Sequence, residues 1–302
     1  MGTEFWWFYD VIAVAIFLIC IFLSGKKGIL KSGLDVAGYI LAVVVALSIS
    51  GTMAESLYTS NIRGSNIKKI DKHLTSDTFT EMMCEYLDSL EYNVDIKQEK
   101  LNNIFDEADE KTIEEINDEI YKYINNINGR KVAEEDELKP QLIEGYAVVI
   151  SRIISKELNK FAAETAAESI RNDPETMPHL ISLLREPESQ KTAATYIADN
   201  YTAPAYKKIV RLVLFVALLV VIIIIALFVV RVFTGDKNTD STTSHIVGGL
   251  AGLPKGAVLT AAVAAMVRLY VILGSNEMLF FNFEAIDKSF IFKRFYDLIL
   301  TL

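Results

Sequence analysis

The chain predicts an all-α fold: a polytopic helical membrane protein with about four transmembrane helices and an inserted helical soluble domain. Three observations carry this. Apolar residues make up 51% of 302 residues and concentrate at the two ends of the chain. Four stretches are long and apolar enough for a hydrocarbon core, which takes about 20 residues of helix. Between them, residues 52–206 hold about 30 acidic and about 17 basic residues, a net of roughly −13. There apolar positions recur at helical spacing, with no strand-like alternation. The expected divisions are an N-terminal transmembrane pair (1–51), an acidic helical domain (52–206), a C-terminal transmembrane pair (207–273) and an amphipathic tail (274–302).

The first span is Phe5 to Leu23, with Trp6, Trp7 and Tyr9 placed for an aromatic belt. No basic n-region or small-residue cleavage site accompanies it, so it reads as a retained anchor rather than a signal peptide. SGKKGILKSG follows as a short loop with Lys26, Lys27 and Lys31. Lysine-rich short loops stay on the cytoplasmic side, which puts the N-terminus and the middle domain outside. A second span runs from about Leu34 to Ile49. Gly38, Ala42, Ala46 and Ser50 form a small-residue face that permits close backbone approach. Asp35 lies near its inner end and reads as a solvated interfacial carboxylate, with a buried functional role as the alternative.

In the middle domain Phe79, Met82, Met83, Tyr86, Leu87 and Leu90 share one apolar face. Ile113, Ile116, Ile120, Ile124 and Ile127 share another, ended by Gly129 as a C-terminal cap. GRKVAEEDELK reads as a polar loop. A longer helix is expected from near Pro140, in its first turn, to Ile170. Asp173 and Pro174 open another helix and Pro187 a further one.

The third span, Ile209 to Val232, is the most apolar. The polar loop TGDKNTDSTTS leads from it to the fourth, His245 to Tyr270. There Gly248, Gly252, Gly256, Thr260 and Ala264 recur every fourth residue as a helix-packing face. Pro254 and Lys255 interrupt it. They read either as a packing seam with an interfacial lysine or as a broken helix on a substrate or ion path. Arg268 reads as snorkelling toward the outer interface, or as a buried partner for a carboxylate such as Asp35. In the tail, Phe283, Ile286, Phe290 and Phe295 fall near one side of an interfacial helix.

No catalytic constellation stands out. His73, His179 and His245 lack metal-ligand spacing, and GGLAGLPKGA has Gly256 where a phosphate loop needs Ser or Thr. DEADEKTIEEINDE lacks the ligand periodicity of a calcium loop and reads as a solvated helix face. Cys20 and Cys84 form no disulfide framework. The acidic balance excludes a nucleic-acid footprint. No cofactor is expected. The expected partners are membrane lipid, further copies of the chain and an unidentified protein bound by the acidic domain.

Tyr9-Asp10-Val11 at the first span, Gly25-Lys26-Lys27-Gly28 after it, GGLAGLPKGAVL from Gly248 and the late Ser289 of AIDKSFIFKRFY form a recognisable set. Through them the chain resembles the colicin V production protein (CvpA) family over roughly residues 5–50 and 187–296. The middle, about 52–186, departs from the family's compact pattern as a large helical insertion. The resemblance implies a bacterial plasma-membrane protein without established enzymatic activity, associated with colicin V production or export and with envelope homeostasis. A rival expectation is an oligomeric channel or transporter whose path follows the Gly248–Gly256 break and uses Lys27, Asp35, Lys255 or Arg268.

Overall fold

The computed structural model describes residues 5–92, 94–127, 129–186, 190–235, 241–274 and 283–300. The expected helix start at Pro187 lies outside them. The described residues are all helical, without strands, and divide into two compact units, residues 58–206 and residues 1–57 with 207–302.

The apolar unit begins with α1 (Trp6–Leu57), a run of 52 residues. The lysine-rich segment, expected as a loop, is helical on both sides of one residue, Gly28 (φ 73°, ψ 175°). That conformation is essentially closed to side chains with a Cβ, so the helix breaks at a glycine. In a straight helix residues 24 and 32 would stand about 12 Å apart along the axis. Here Ser32 Oγ donates to Ser24 O at 2.6 Å. The chain therefore folds back at Gly28 into two arms, residues 6–27 and 29–57.

In the second unit helices stand at the two expected apolar faces, with others among them that the sequence did not single out. They are α2 (Arg63–Asp71), α3 (Thr78–Asp88), α4 (Gln98–Phe105) and α5 (Ile113–Ile127). Next come α6 (Glu135–Ser155), α7 (Lys160–Asn172), α8 (Met177–Arg185) and α9 (Gln190–Ile197). Phe79, Met83 and Leu87 of α3 and Ile116, Ile120 and Ile124 of α5 are buried in one core around Tyr146. Gly129 takes φ +63°, and its N–H donates to Asn126 O, ending α5.

The single long helix expected from Pro140 to Ile170 is two. The carboxamide of Asn159 accepts from Ala162 N at 2.8 Å, so Asn159 starts α7 as an N-cap and ends the continuity. α6 begins earlier than Pro140 because Glu135, Asp136 and Glu137 favour the positive end of a helix dipole. The polar segment GRKVAEEDELK is thereby partly helical. Asp173 leads through a short 3₁₀ turn, Pro174–Thr176, into α8.

Two π-helical turns, Tyr58–Ile62 and Ala198–Thr202, meet within this unit. Such turns leave backbone groups that need partners. Tyr58 Oη donates to Ala198 O at 2.8 Å, and Arg63 makes two bonds to Asp199 at 2.6 and 2.7 Å. The histidines of this unit are paired: His73 with Glu157 at 2.7 Å and His179 with Asp109 at 2.9 Å. Burial, reinforced by Asp88 and Glu81, pushes the Cys84 thiol up to about 11, so little of it is thiolate near neutrality.

The apolar unit is completed by α10 (Ala203–Thr234), α11 (Thr242–Leu250), α12 (Gly252–Leu273), α13 (Phe283–Lys288) and α14 (Phe292–Leu300). The stretch from His245 to Tyr270 is thus broken at Ala251, between α11 and α12. Pro254 has no N–H to continue an incoming helix, but it sits at no cost in the first turn of a new one. Among the described residues three helical runs are long and apolar enough to cross a membrane: Trp6–Asp71, Lys191–Thr234 and Thr242–Leu273. That is one fewer than the expected spans, because the first run is a single bent helix. Large apolar side chains such as Leu18, Phe22, Ile224 and Phe228 stand more than half exposed on these runs.

The tail differs from the expected single amphipathic helix. α13 and α14 are separated at residues 289–291, and the buried face is Ile286, Phe292, Tyr296 and Ile299, while Phe290 is 76% exposed. The cause is Asp10, whose carboxylate accepts from the backbone N–H of Phe290, Ile291 and Phe292 at 2.8–3.0 Å. Ser289 Oγ also accepts from Lys293 N in the first turn of α14, at 3.1 Å.

Candidate functional site

The charged centre of the apolar unit forms where the bend of α1 meets the break between α11 and α12. α11 and α12 run antiparallel to residues 6–27 and pack on them through glycine. A Cβ at Gly248 would lie 2.9 Å from Ser24 O, and one at Gly256 would lie 2.7 Å from the Phe17 ring. At Gly252 it would meet Cys20 O and Ile21 Cα, both at 2.5 Å. The second small face lies on the other arm. Gly38 abuts Ala226 of α10, and Ala42 and Ala46 are fully buried in the same apolar core. Both faces are therefore occupied within one chain.

This packing puts Lys255 beside the bend. A helical side chain leans toward its helix N-terminus, which here is the Gly28 end. Lys255 Nζ donates to Ser24 Oγ and to Asp35 Oδ2, each at 3.0 Å. Lys27 Nζ donates to the same Oδ2 at 2.8 Å. Asp35 is 2% exposed and Lys255 6%, whereas Lys27 is 45% exposed. The reading of Asp35 as a solvated carboxylate is thus corrected: the bend folds it inward between two lysines. Lys255 is likewise not solvated: it is held by a buried carboxylate. Two cations on one carboxylate leave the cluster with an excess positive charge.

Arg268, the alternative partner for Asp35, is elsewhere, with its guanidinium carbon 5.9 Å from the Tyr296 ring centroid of α14. Backbone bonds close the bend: Ile29 N donates to Ser244 Oγ at 3.0 Å, and His245 Nδ1 lies 2.8 Å from Gly25 O. A carbonyl oxygen only accepts, so Nδ1 of His245 carries the proton.

Ser24, Ser32 and Ser244 escaped the sequence reading, and Asp10 entered it only through the resemblance, not as a cap. The first two sit four residues either side of Gly28, a helical small-residue stripe that was legible once the segment was taken as helix. Asp10 had no such signal, because its partners are backbone groups 280 residues away. Asp10→Ala is expected to cost about 1–2 kcal/mol, since it leaves N–H groups at the start of α14 without their acceptor. Limited proteolysis checks this: cleavage within residues 283–300 speeds up, and unchanged protection would refute it.

Among the described residues no group of three or more His, Cys, Asp or Glu side chains is arranged to hold a metal ion. Within the cluster a hydroxyl, Ser24 Oγ, lies 3.0 Å from an amine, Lys255 Nζ, that Asp35 also holds at 3.0 Å, so ionic and hydrogen-bonding groups converge on one buried serine. No family model, no curated protein and no solved structure matches the chain.

Proposed function

We propose that the chain is a non-enzymatic, CvpA-like integral protein of a bacterial plasma membrane, supporting toxin production or secretion or envelope homeostasis. In this reading it has four spans: the two arms of α1, α10, and the broken α11–α12 pair. The N-terminus and the acidic helical domain lie outside, and the domain docks a partner protein or a further copy of the chain.

One observation carries the reading. The separate motifs behind the CvpA resemblance converge in a single unit. Tyr9 packs on Phe292 at 5.1 Å, and Asp10 caps the backbone after Ser289. Gly25 and Gly28 meet α11, and Lys27 and Lys255 share Asp35. In this reading these residues serve as a scaffold. The exposed apolar girdle of the same unit suits a lipid surround better than water.

The test is a deletion strain assayed for toxin export and envelope permeability, complemented by wild type and by Lys255→Met. Alkaline extraction and thiol labelling of single cysteines report membrane integration and sidedness. Restored phenotype with wild type, with residues near Gly129 labelled from outside, supports the reading. A deletion without phenotype overturns the role, and labelling from inside overturns the orientation. The rival, a channel or transporter, has the α11–α12 break in its favour. Reproducible flux in reconstituted vesicles that Lys255→Ala and Arg268→Ala abolish would replace the scaffold reading with it.

A further inference from the structure

A cleft of about 530 Å³ opens on the outside of the apolar unit, beside the bend of α1. Its walls come from the end of the first arm and from α11. Gly25 and Gly249 face each other across its floor, so no side chain fills it. Ile21, Phe22, Ile246 and Leu250 supply apolar walls. Lys26 and His245 supply its polar lining. Lys26 Nζ is poised 4.3 Å over the Phe22 ring centroid, and no carboxylate pairs with it among the described residues. His245 uses Nδ1 on Gly25 O, so Nε2 is its remaining polar atom.

We propose that this cleft binds an anionic phospholipid, with its phosphate at Lys26, a headgroup hydroxyl donating to His245 Nε2, and an acyl chain along Ile21, Ile246 and Leu250. The inference rests on the membrane reading above. It commits to a lipid because the two chemistries of the cleft coincide with those of that molecule. An apolar slot lies below a cationic group, at the end of helices long enough to span. Lys27 and Lys31 flank it in sequence, and Asp35, the one carboxylate between Asp10 and Glu55, is already shared by Lys27 and Lys255. Local charge among the described residues is therefore positive, as an anionic leaflet favours. A soluble anion would use the cation but leave the apolar slot empty.

The test uses the full chain, incubated with equal amounts of phosphatidylglycerol and phosphatidylcholine and analysed by native mass spectrometry. Phosphatidylglycerol is expected to be retained preferentially. Lys26→Gln should weaken that retention roughly fivefold, the loss expected for one charge at a membrane surface, without changing phosphatidylcholine. Gly249→Leu, whose Cβ would meet only ordinary contact at 3.7 Å from Ile21, should fill the slot and remove the bound lipid. Equal retention of the two lipids, or unchanged retention in Lys26→Gln and Gly249→Leu, overturns the proposal. Displacement by millimolar inorganic phosphate overturns the lipid as the occupant. Flotation on pure phosphatidylcholine vesicles separates the two readings: a chain that floats but shows no lipid preference keeps its membrane assignment and loses only this site.

Discussion

Asp35→Ala is expected to destabilise the apolar unit by about 3–5 kcal/mol, because it leaves a buried charge without its counter-charge. Lys255 is 6% exposed, and after truncation only the Ser24 hydroxyl would remain among its present partners. Lys27 is different: at 45% exposure it can turn to solvent, and Lys27→Gln should cost no more than about 1 kcal/mol. The double variant Asp35→Leu with Lys255→Met should recover most of the loss, since apolar replacements of a buried pair are often neutral. Reversible unfolding in mixed micelles measures all three. If Asp35→Ala costs as little as Lys27→Gln, the buried pair is not what joins α1 to α12. If the double variant is as unstable as the single, the loss comes from packing and not from charge.

The small-residue faces at Gly248, Gly252 and Gly256 and at Gly38, Ala42 and Ala46 were visible in the sequence as periodicity, because close helix contact needs small residues at fixed spacing. The Lys255–Asp35 pairing was not. Opposite sign gave no reason to prefer Lys255 over Arg268, and the decision depended on where the chain bends. The lysine-rich segment contains Gly25, Gly28 and Gly33, and composition cannot say which of three glycines breaks a helix; only Gly28 takes a positive φ. Once that residue is the hinge, Asp35 lies about 10 Å along the second arm, within reach of a lysine leaning back from the first turn of α12. The expected helix from Pro140 to Ile170 failed for a local reason that was available. Asn159 preceding Lys160 is a capping residue, but apolar periodicity continues across it through Leu158 and Phe161. Periodicity reports a shared buried face, which two successive helices can supply as well as one. Residues 283–300 were misread because Asp10, at the far end of the chain, caps the backbone that a single helix would have kept internal.

Gly252→Ala should be the most damaging methyl in the apolar unit, at about 2–3 kcal/mol, in the range of overpacking a dense contact. The added Cβ would stand 2.5 Å from Cys20 O and from Ile21 Cα. Both are backbone atoms, so no rotamer change relieves the overlap, and α12 must move off the first arm by roughly 1 Å to restore ordinary carbon contact distances. The intrinsic gain of alanine over glycine in a helix, about 1 kcal/mol, only partly offsets this. Gly33→Ala is the matched control: it has the same chemistry, in the same unit, with nothing within 4 Å of its Cβ. There the helical gain stands alone, and the variant should be neutral or slightly stabilised. The separation of α12 from α1 also has a chemical readout. Cys20 is 7% exposed and supplies the carbonyl that the new methyl would strike. In a Cys84→Ser background, maleimide should label Cys20 faster in Gly252→Ala than in Gly33→Ala. Because Lys255 follows Gly252 by three residues, the same displacement loosens its bonds to Ser24 and Asp35. The costs of Gly252→Ala and Asp35→Ala should therefore combine to less than their sum. Additive losses, or equal labelling of the two glycine variants, would mean that the glycine seam and the ion cluster hold the helices independently.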